Sequence, residues 1–147
     1  MSYLLALLIL IAGILIGAAL FSDSKPRSLL MIKANQNRFS ANDVAGLLAS
    51  VIVQKTPGLI PNIILETDKT IVFEHPRPKH RIHYIFVPKK DIKNIGELSD
   101  EDKEYILDIF SAIVSQINKQ QLHNYRVWTN GPGKQDVTYL HFHLGAE

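Results

Sequence analysis

The amino-acid sequence predicts an α+β domain, an antiparallel sheet with two soluble helices, preceded by one transmembrane helix. Three observations predict it. Short β-prone runs occur in hairpin-like pairs on either side of one long amphipathic helix, a pattern that builds an antiparallel sheet. The last run, Tyr139-Leu140-His141-Phe142-His143-Leu144, alternates apolar and polar residues with period two, as a strand does. Finally, Tyr3 to Phe21 contains no charged residue and is mostly Leu, Ile and Ala. A helix needs about 20 such residues to cross a bilayer.

With 147 residues the chain has room for one domain and an appendage. A formal charge of +2 gives no electrostatic case for nucleic acid, and the absence of Cys excludes disulfides and thiolate chemistry. Residues 1–22 are expected to be an uncleaved membrane helix. Only Met1-Ser2 precedes the apolar run, without the basic n-region of a secretory signal, and Ala18-Ala19-Leu20-Phe21 is a poor cleavage site. Lys25, Arg27, Lys33 and Arg38 all follow the run. The positive-inside rule then leaves the rest of the chain in the cytoplasm. Residues 23–39 read as a juxtamembrane linker and 40–147 as the folded domain.

Within that domain Ser40-Ala41-Asn42-Asp43 has the capping-box pattern, and Val44, Leu47, Leu48 and Val51 recur at helical spacing. Thr56-Pro57-Gly58 stops the helix. Asn62 to Leu65 and Lys69 to Phe73 form a hairpin across Glu66-Thr67-Asp68, and the Pro-broken stretch 74–81 is a loop. His83 to Val87 is the next strand, closed by Pro88-Lys89-Lys90. Ser99 to Asp102 opens the longest soluble helix, to Lys119, with Ile106, Ile109, Phe110, Ile113, Val114 and Ile117 as its buried stripe. Tyr125 to Thr129 is a strand, 130–135 a tight Gly-rich loop, and Val137 to Leu144 the last strand, antiparallel to it.

Residues two apart in a strand point the same way, roughly 6.6 Å apart. His141, His143 and Tyr139 therefore share one face, with Leu140, Phe142 and Leu144 packed beneath the other. Two imidazoles on a rigid face can act as a nucleophile with a hydrogen-bonding partner, or as two metal ligands. They can equally be polar residues on the wet face of an amphipathic strand.

Three blocks carry a resemblance: Ile60-Pro61 with Ile71-Val72-Phe73, then His83 to Lys90 with Asp91-Ile92, then Asn130-Gly131 through Gln135 to His141-Phe142-His143. In this order, with the long helix between the last two, the segment from about Ile60 to Gly145 resembles the histidine triad (HIT) nucleotide-binding proteins, most closely their Hint branch. The resemblance implies a HIT-like sheet and a catalytic role for His141, which would attack the α-phosphorus of a nucleotide and form a nucleotidyl-imidazole that water hydrolyses. It implies that His143 hydrogen-bonds the phosphoryl oxygens. Phe73, Asn130, Gly133, Gln135 and Asp136 would line the nucleotide site, with the Gly131 and Gly133 backbones close to phosphate. His83 and Tyr139 would support the catalytic imidazole. The implied partners are a purine nucleotide or nucleotide conjugate and a second copy of the chain, paired through the long helix and its adjoining strand. No metal, cofactor or nucleic acid is implied.

Three positions depart from the family pattern. Tyr139 replaces the first triad histidine, Asp136 stands where a Ser or Thr is usual, and His75, beside Glu74, replaces an acidic residue that holds the ribose. His75, His80 and His123 fall in loops or near helix ends and are expected to have surface roles. The expectation is a membrane-anchored nucleotide hydrolase or phosphoramidase. A catalytically weakened nucleotide sensor and a hydrolase of a nucleotide-linked lipid are the alternatives.

Overall fold

A computed structural model describes residues 3–25 and 41–147. The linker expected at 23–39 is thus described only to Lys25, and the expected Ser40 cap lies outside the described residues. Helix α1 spans Tyr3–Phe21 and α2 spans Ala41–Lys55. Strands β1 (Ile63–Glu66), β2 (Thr70–Glu74) and β3 (Ile82–Pro88) follow, then helix α3 (Lys103–Lys119), then β4 (Tyr125–Thr129) and β5 (Phe142–Ala146). The five strands make one antiparallel sheet in the order β1-β2-β3-β5-β4. The expected α+β fold is the one observed. The chain crosses from β3 by way of α3 to the far edge at β4, and β5 returns to fill the gap.

Strand alternation divides the sheet into two faces. Val72, Ile82, Phe86, Phe142, Leu144 and Ala146 point to one side and join Ile109, Ala112 and Ile113 of α3 in the main core. Ile71, Ile85 and Val87 point to the other, where Val53 of α2 and Tyr139 cover them. This second core covers only the β2–β3 half of that face. His83 and His143, one residue out of step with Ile82 and Phe142, therefore lie on the same side as α2, beyond its edge.

Three expected elements differ in detail. The regular part of α3 begins at Lys103, because Asp100–Asp102 wind as a 3₁₀ turn. The buried Asp102 carboxylate receives the Ser99 backbone N–H at 2.9 Å and its Oγ–H at 2.8 Å, and it pairs with the Lys90 ammonium at 2.7 Å. Phe110 and Val114, expected in the buried stripe, are 46% and 54% exposed, since the core face of α3 runs through Ile109, Ala112, Ile113 and Gln116 instead. On α2 the buried positions are Gly46, Ser50 and Val53, whereas Val44 and Leu48 face outward. Small residues line the inner face because the helix approaches backbone closely.

The last strand begins at Phe142, not Val137. Residues 135–141 instead form a strap across the end of the sheet. Its backbone donors go elsewhere: Thr138 N–H to the Asn42 carbonyl at 3.1 Å, Tyr139 N–H to Val137 at 2.8 Å and Leu140 N–H to Ile92 at 2.6 Å. With those donors spent on α2 and on the segment after β3, the strap cannot continue a strand ladder. The side-chain alternation nevertheless persists, so that Leu140 still joins Phe142 and Leu144 in the main core.

At Gly46 a Cβ would stand 2.5 Å from the Thr138 carbonyl oxygen. Because that neighbour is backbone, Gly46→Ala must push α2 off the strap. The substitution is expected to cost about 1–3 kcal/mol despite alanine's better helix propensity, as measured by the urea midpoint.

Candidate active site

The uncovered half of the α2 face is paved with rings. His143 on β5 lies opposite Trp128 on β4 and Ile85 on β3. The Trp128 and His143 rings stack at 4.8 Å with 10° between their planes. His83 lies 5.3 Å from His143 by ring centroids, and His75, from the end of β2, stacks on His83 at 4.1 Å. His80 closes the outer side, edge-on to Trp128 at 6.0 Å. Gly145 permits this crowding, since a Cβ there would meet His80 at 2.7 Å and Trp128 at 3.0 Å.

The hydrogen bonds fix the proton on each imidazole. His141 Nδ1 lies 2.7 Å from the Tyr139 carbonyl oxygen. A carbonyl only accepts, so Nδ1 carries the hydrogen and Nε2 presents a bare lone pair. The second set is a relay. Lys79 N–H donates to His83 Nδ1 at 3.3 Å, which puts the His83 proton on Nε2, facing His143 Nδ1 at 3.2 Å. His143 Nδ1 thus accepts, and its proton sits on Nε2, a buried atom with no hydrogen-bond partner among the described residues. One imidazole offers a lone pair and its neighbour, with rings 4.9 Å apart, offers an N–H.

Burial is the main reason these rings stay neutral. It pushes His143 down to about 3, with the other imidazoles adding to the effect, and His83 down to about 4. His141 is also lowered by burial, opposed by its bond to the Tyr139 carbonyl and by the nearby Asp136 carboxylate. His75 is lowered by burial as well.

The expected site residues are placed as follows. His141 lines an apolar cleft of about 220 Å³, whose walls include Ala49, Ile52 and Val53 of α2, Phe73 of β2, and Ile85 and Val87 of β3. Asn130 is half-buried just after β4, while Gly131, Gly133 and Asp136 are exposed on the turn that follows. Gly131 and Gly133 have open space where a Cβ would be, so the backbone there can be approached closely. Gln135 is turned inward, its Nε2 donating to the Lys93 carbonyl at 3.1 Å and the Tyr139 carbonyl at 3.4 Å. Tyr139 supports His141 through its backbone carbonyl. Its phenol is buried away from the imidazoles and donates to the Pro88 and Lys90 carbonyls at 2.7 and 3.0 Å.

Trp128 and the cleft residues of α2 carried no signal in the linear sequence. The surface roles expected of His75 and His80 are corrected, since loop 75–81 folds both back over the sheet to pack in the ring cluster. The cross-strand register that pairs Trp128 with His143 is the signal that would have found the tryptophan.

His75, His83 and His143 bring ring nitrogens within 4.8 Å of one another. Histidine ligands to a metal usually donate their far N–H to an acceptor. Here the opposite holds: His75 Nδ1 accepts the Arg77 N–H at 3.0 Å and His83 Nδ1 accepts that of Lys79 at 3.3 Å. Each Nε2 therefore carries a proton and the donor set does not suit a cation without rearrangement of the loop.

The antiparallel sheet thus carries a histidine with a bare lone pair, a donor histidine beside it and an adjoining apolar cleft. The family model described as "Scavenger mRNA decapping enzyme C-term binding" matches residues 52–146, and the chain belongs to that family, within the histidine triad superfamily. Relatives include an uncharacterised HIT-like protein of Buchnera aphidicola, 29% identical over 103 residues, 67% of this chain and 87% of that one. A bifunctional adenosine 5′-phosphosulfate phosphorylase/adenylylsulfatase of Arabidopsis thaliana is 28% identical over 89 residues, 56% of this chain and 60% of that one. Among solved structures, a HIT family hydrolase from Legionella pneumophila is 27% identical with a TM-score of 0.59, covering 65% of this chain and 89% of that one. One from Clostridium thermocellum, at 24% identity and TM-score 0.61, covers 74% and 93% and shares the fold.

Because His83 and His143 stay neutral when folded, the unfolded chain takes up their protons first as pH falls. Stability is therefore full above about pH 6.5 and declines as the pH drops toward 4 and 3. Urea unfolding across this range should show that decline. In His143→Gln its slope should lessen by up to about 1.4 kcal/mol per pH unit, the value of one proton.

Proposed function

We propose that the chain is a nucleotide hydrolase that cleaves nucleoside phosphoramidates or related nucleotidyl bonds through a covalent intermediate on His141. The observation that carries this reading is the bond from His141 Nδ1 to the Tyr139 carbonyl at 2.7 Å, which leaves Nε2 as a nucleophile with its lone pair exposed. In the first step that lone pair attacks the α-phosphorus, an N–P bond forms, and the bond to the leaving group breaks as the leaving group takes a proton from solvent. In the second step water attacks phosphorus, losing a proton to solvent, and the N–P bond breaks, giving the nucleoside monophosphate and restoring the imidazole. The charge that develops on His141 is stabilised by the Tyr139 carbonyl and by Asp136. His143 Nε2–H is the donor for a phosphoryl oxygen, where negative charge grows. A purine base fits the apolar cleft that His141 lines. Asn130, Gly133 and Asp136 would border the phosphates, with Gln135 holding the strap beneath them.

The 19-residue, charge-free α1 supports a single-pass membrane anchor, and the basic residues that follow it in the sequence, Lys25, Arg27, Lys33 and Arg38, support placing the domain on the cytoplasmic side. The exposed stripe of Leu107, Phe110 and Val114 on α3 supports a two-fold homodimer. Among the relatives above, the Arabidopsis protein's adenylylsulfatase activity also breaks an adenylyl bond.

The test is AMP release from adenosine phosphoramidate by the full chain in detergent. His141→Ala is expected to lower turnover on the order of 10³-fold or more while AMP binding changes little, and retained turnover would sink the mechanism. One observation favours the second reading, a sensor with little turnover. Asp136 puts a carboxylate beside the catalytic imidazole, where it repels incoming phosphate. Asp136→Ser should then raise kcat/KM, whereas an unchanged value would mean that the carboxylate never meets the substrate.

A further inference from the structure

The segment that leaves α1 does not hang free of the domain. Ser24 Oγ meets Ser50 Oγ at 2.9 Å, and Ser50 is fully buried on α2. Lys55, at the end of α2, forms an ion pair with Asp23. On the other side the Lys25 backbone N–H donates to Asp91 Oδ2 at 2.6 Å, and Asp91 is 1% exposed.

These contacts fall on the two elements that shape the site. Ser50 lies next to Ala49 and one turn from Val53, both walls of the cleft. The neighbour of Asp91, Ile92, accepts the Leu140 N–H at 2.6 Å, one residue before the catalytic position. The N-terminal half of α2 is in turn tied to the strap, with Thr138 Oγ1 donating to Asp43 at 2.8 Å and Asn42 Nδ2 to the Gln135 carbonyl at 2.8 Å. The helix is therefore held between the strap and the exit of α1.

We infer that residues 23–25 brace the cleft: they are positioning residues that hold α2 and the Asp91–Ile92 segment against the strap, so that the N-terminal helix contributes to substrate binding as well as to location. The occupant of the cleft rests on the nucleotide reading above, but the brace itself does not. A slack tether would touch neither a buried hydroxyl nor a buried carboxylate. A buried carboxylate left without that hydrogen bond is costly to keep buried.

Lys25→Pro deletes the N–H that Asp91 accepts, while Lys25→Ala keeps it, so the pair isolates that bond from the side chain. Both variants of the full chain in detergent are compared with the parent by hydrogen exchange of the α2 amides and by AMP affinity. The expected result is about tenfold faster exchange in 43–55 and about tenfold weaker AMP binding in Lys25→Pro alone. Unchanged exchange in Lys25→Pro overturns the brace. Faster exchange with unchanged AMP affinity overturns its link to the cleft. A parent chain that binds no AMP refutes the nucleotide reading, and the exchange result then decides the brace by itself.

Discussion

The carbonyl of Tyr139 is the atom on which the site turns. By accepting from His141 Nδ1 it decides which nitrogen of that imidazole is bare, and it can do so only because the strap 135–141 leaves the sheet. In a regular ladder that carbonyl would be directed at a neighbouring strand. Here the strap is pinned by its own side chains and by other elements: Tyr139 reaches the turn after β3, Gln135 clamps Lys93 to the strap, and Asn42 and Asp43 hold it from α2. Backbone donors are satisfied without a strand partner, and the strap is held by bonds to α2, to the segment after β3 and within itself.

Beside His141, burial and a chain of donors do complementary work. Packing five imidazoles and a tryptophan onto half a sheet face keeps the inner rings neutral, since each charge would be poorly solvated and close to others. Neutral rings are directional, with one donor and one acceptor each. The Lys79 backbone N–H sets the sense of the chain, and the outcome is a proton on His143 Nε2 pointed away from its neighbours. The imidazole at His75 joins the stack but does not reverse this order, because its own Nδ1 is occupied by Arg77.

The departures from the family pattern take on different weights in three dimensions. The tyrosine in place of the first triad histidine meets His141 through its backbone carbonyl, while its phenol fastens the strap. Asp136 alters the electrostatics of His141 itself, favouring the positive imidazole. His75 stands where the family pattern has an acidic residue, and its ring stacks on His83.

The sequence by itself determined the antiparallel α+β fold, because period-two runs, turn residues and a 3.6-residue repeat are local signals that the tertiary structure did not override. It also determined that His141 and His143 would share a side, a consequence of strand parity that survived even where the ladder did not. What only the tertiary structure decided lies in contacts between distant segments. The tautomer of each histidine depends on a backbone group brought to it by a loop or the strap. Trp128 and the small inner face of α2 depend on register and on how closely a helix can approach a carbonyl. Burial of Ser50 and Asp91 against the exit of α1 depends on residues 26 and 66 positions apart. Periodicity records which way a side chain points, and it holds no record of what folding later sets in front of it.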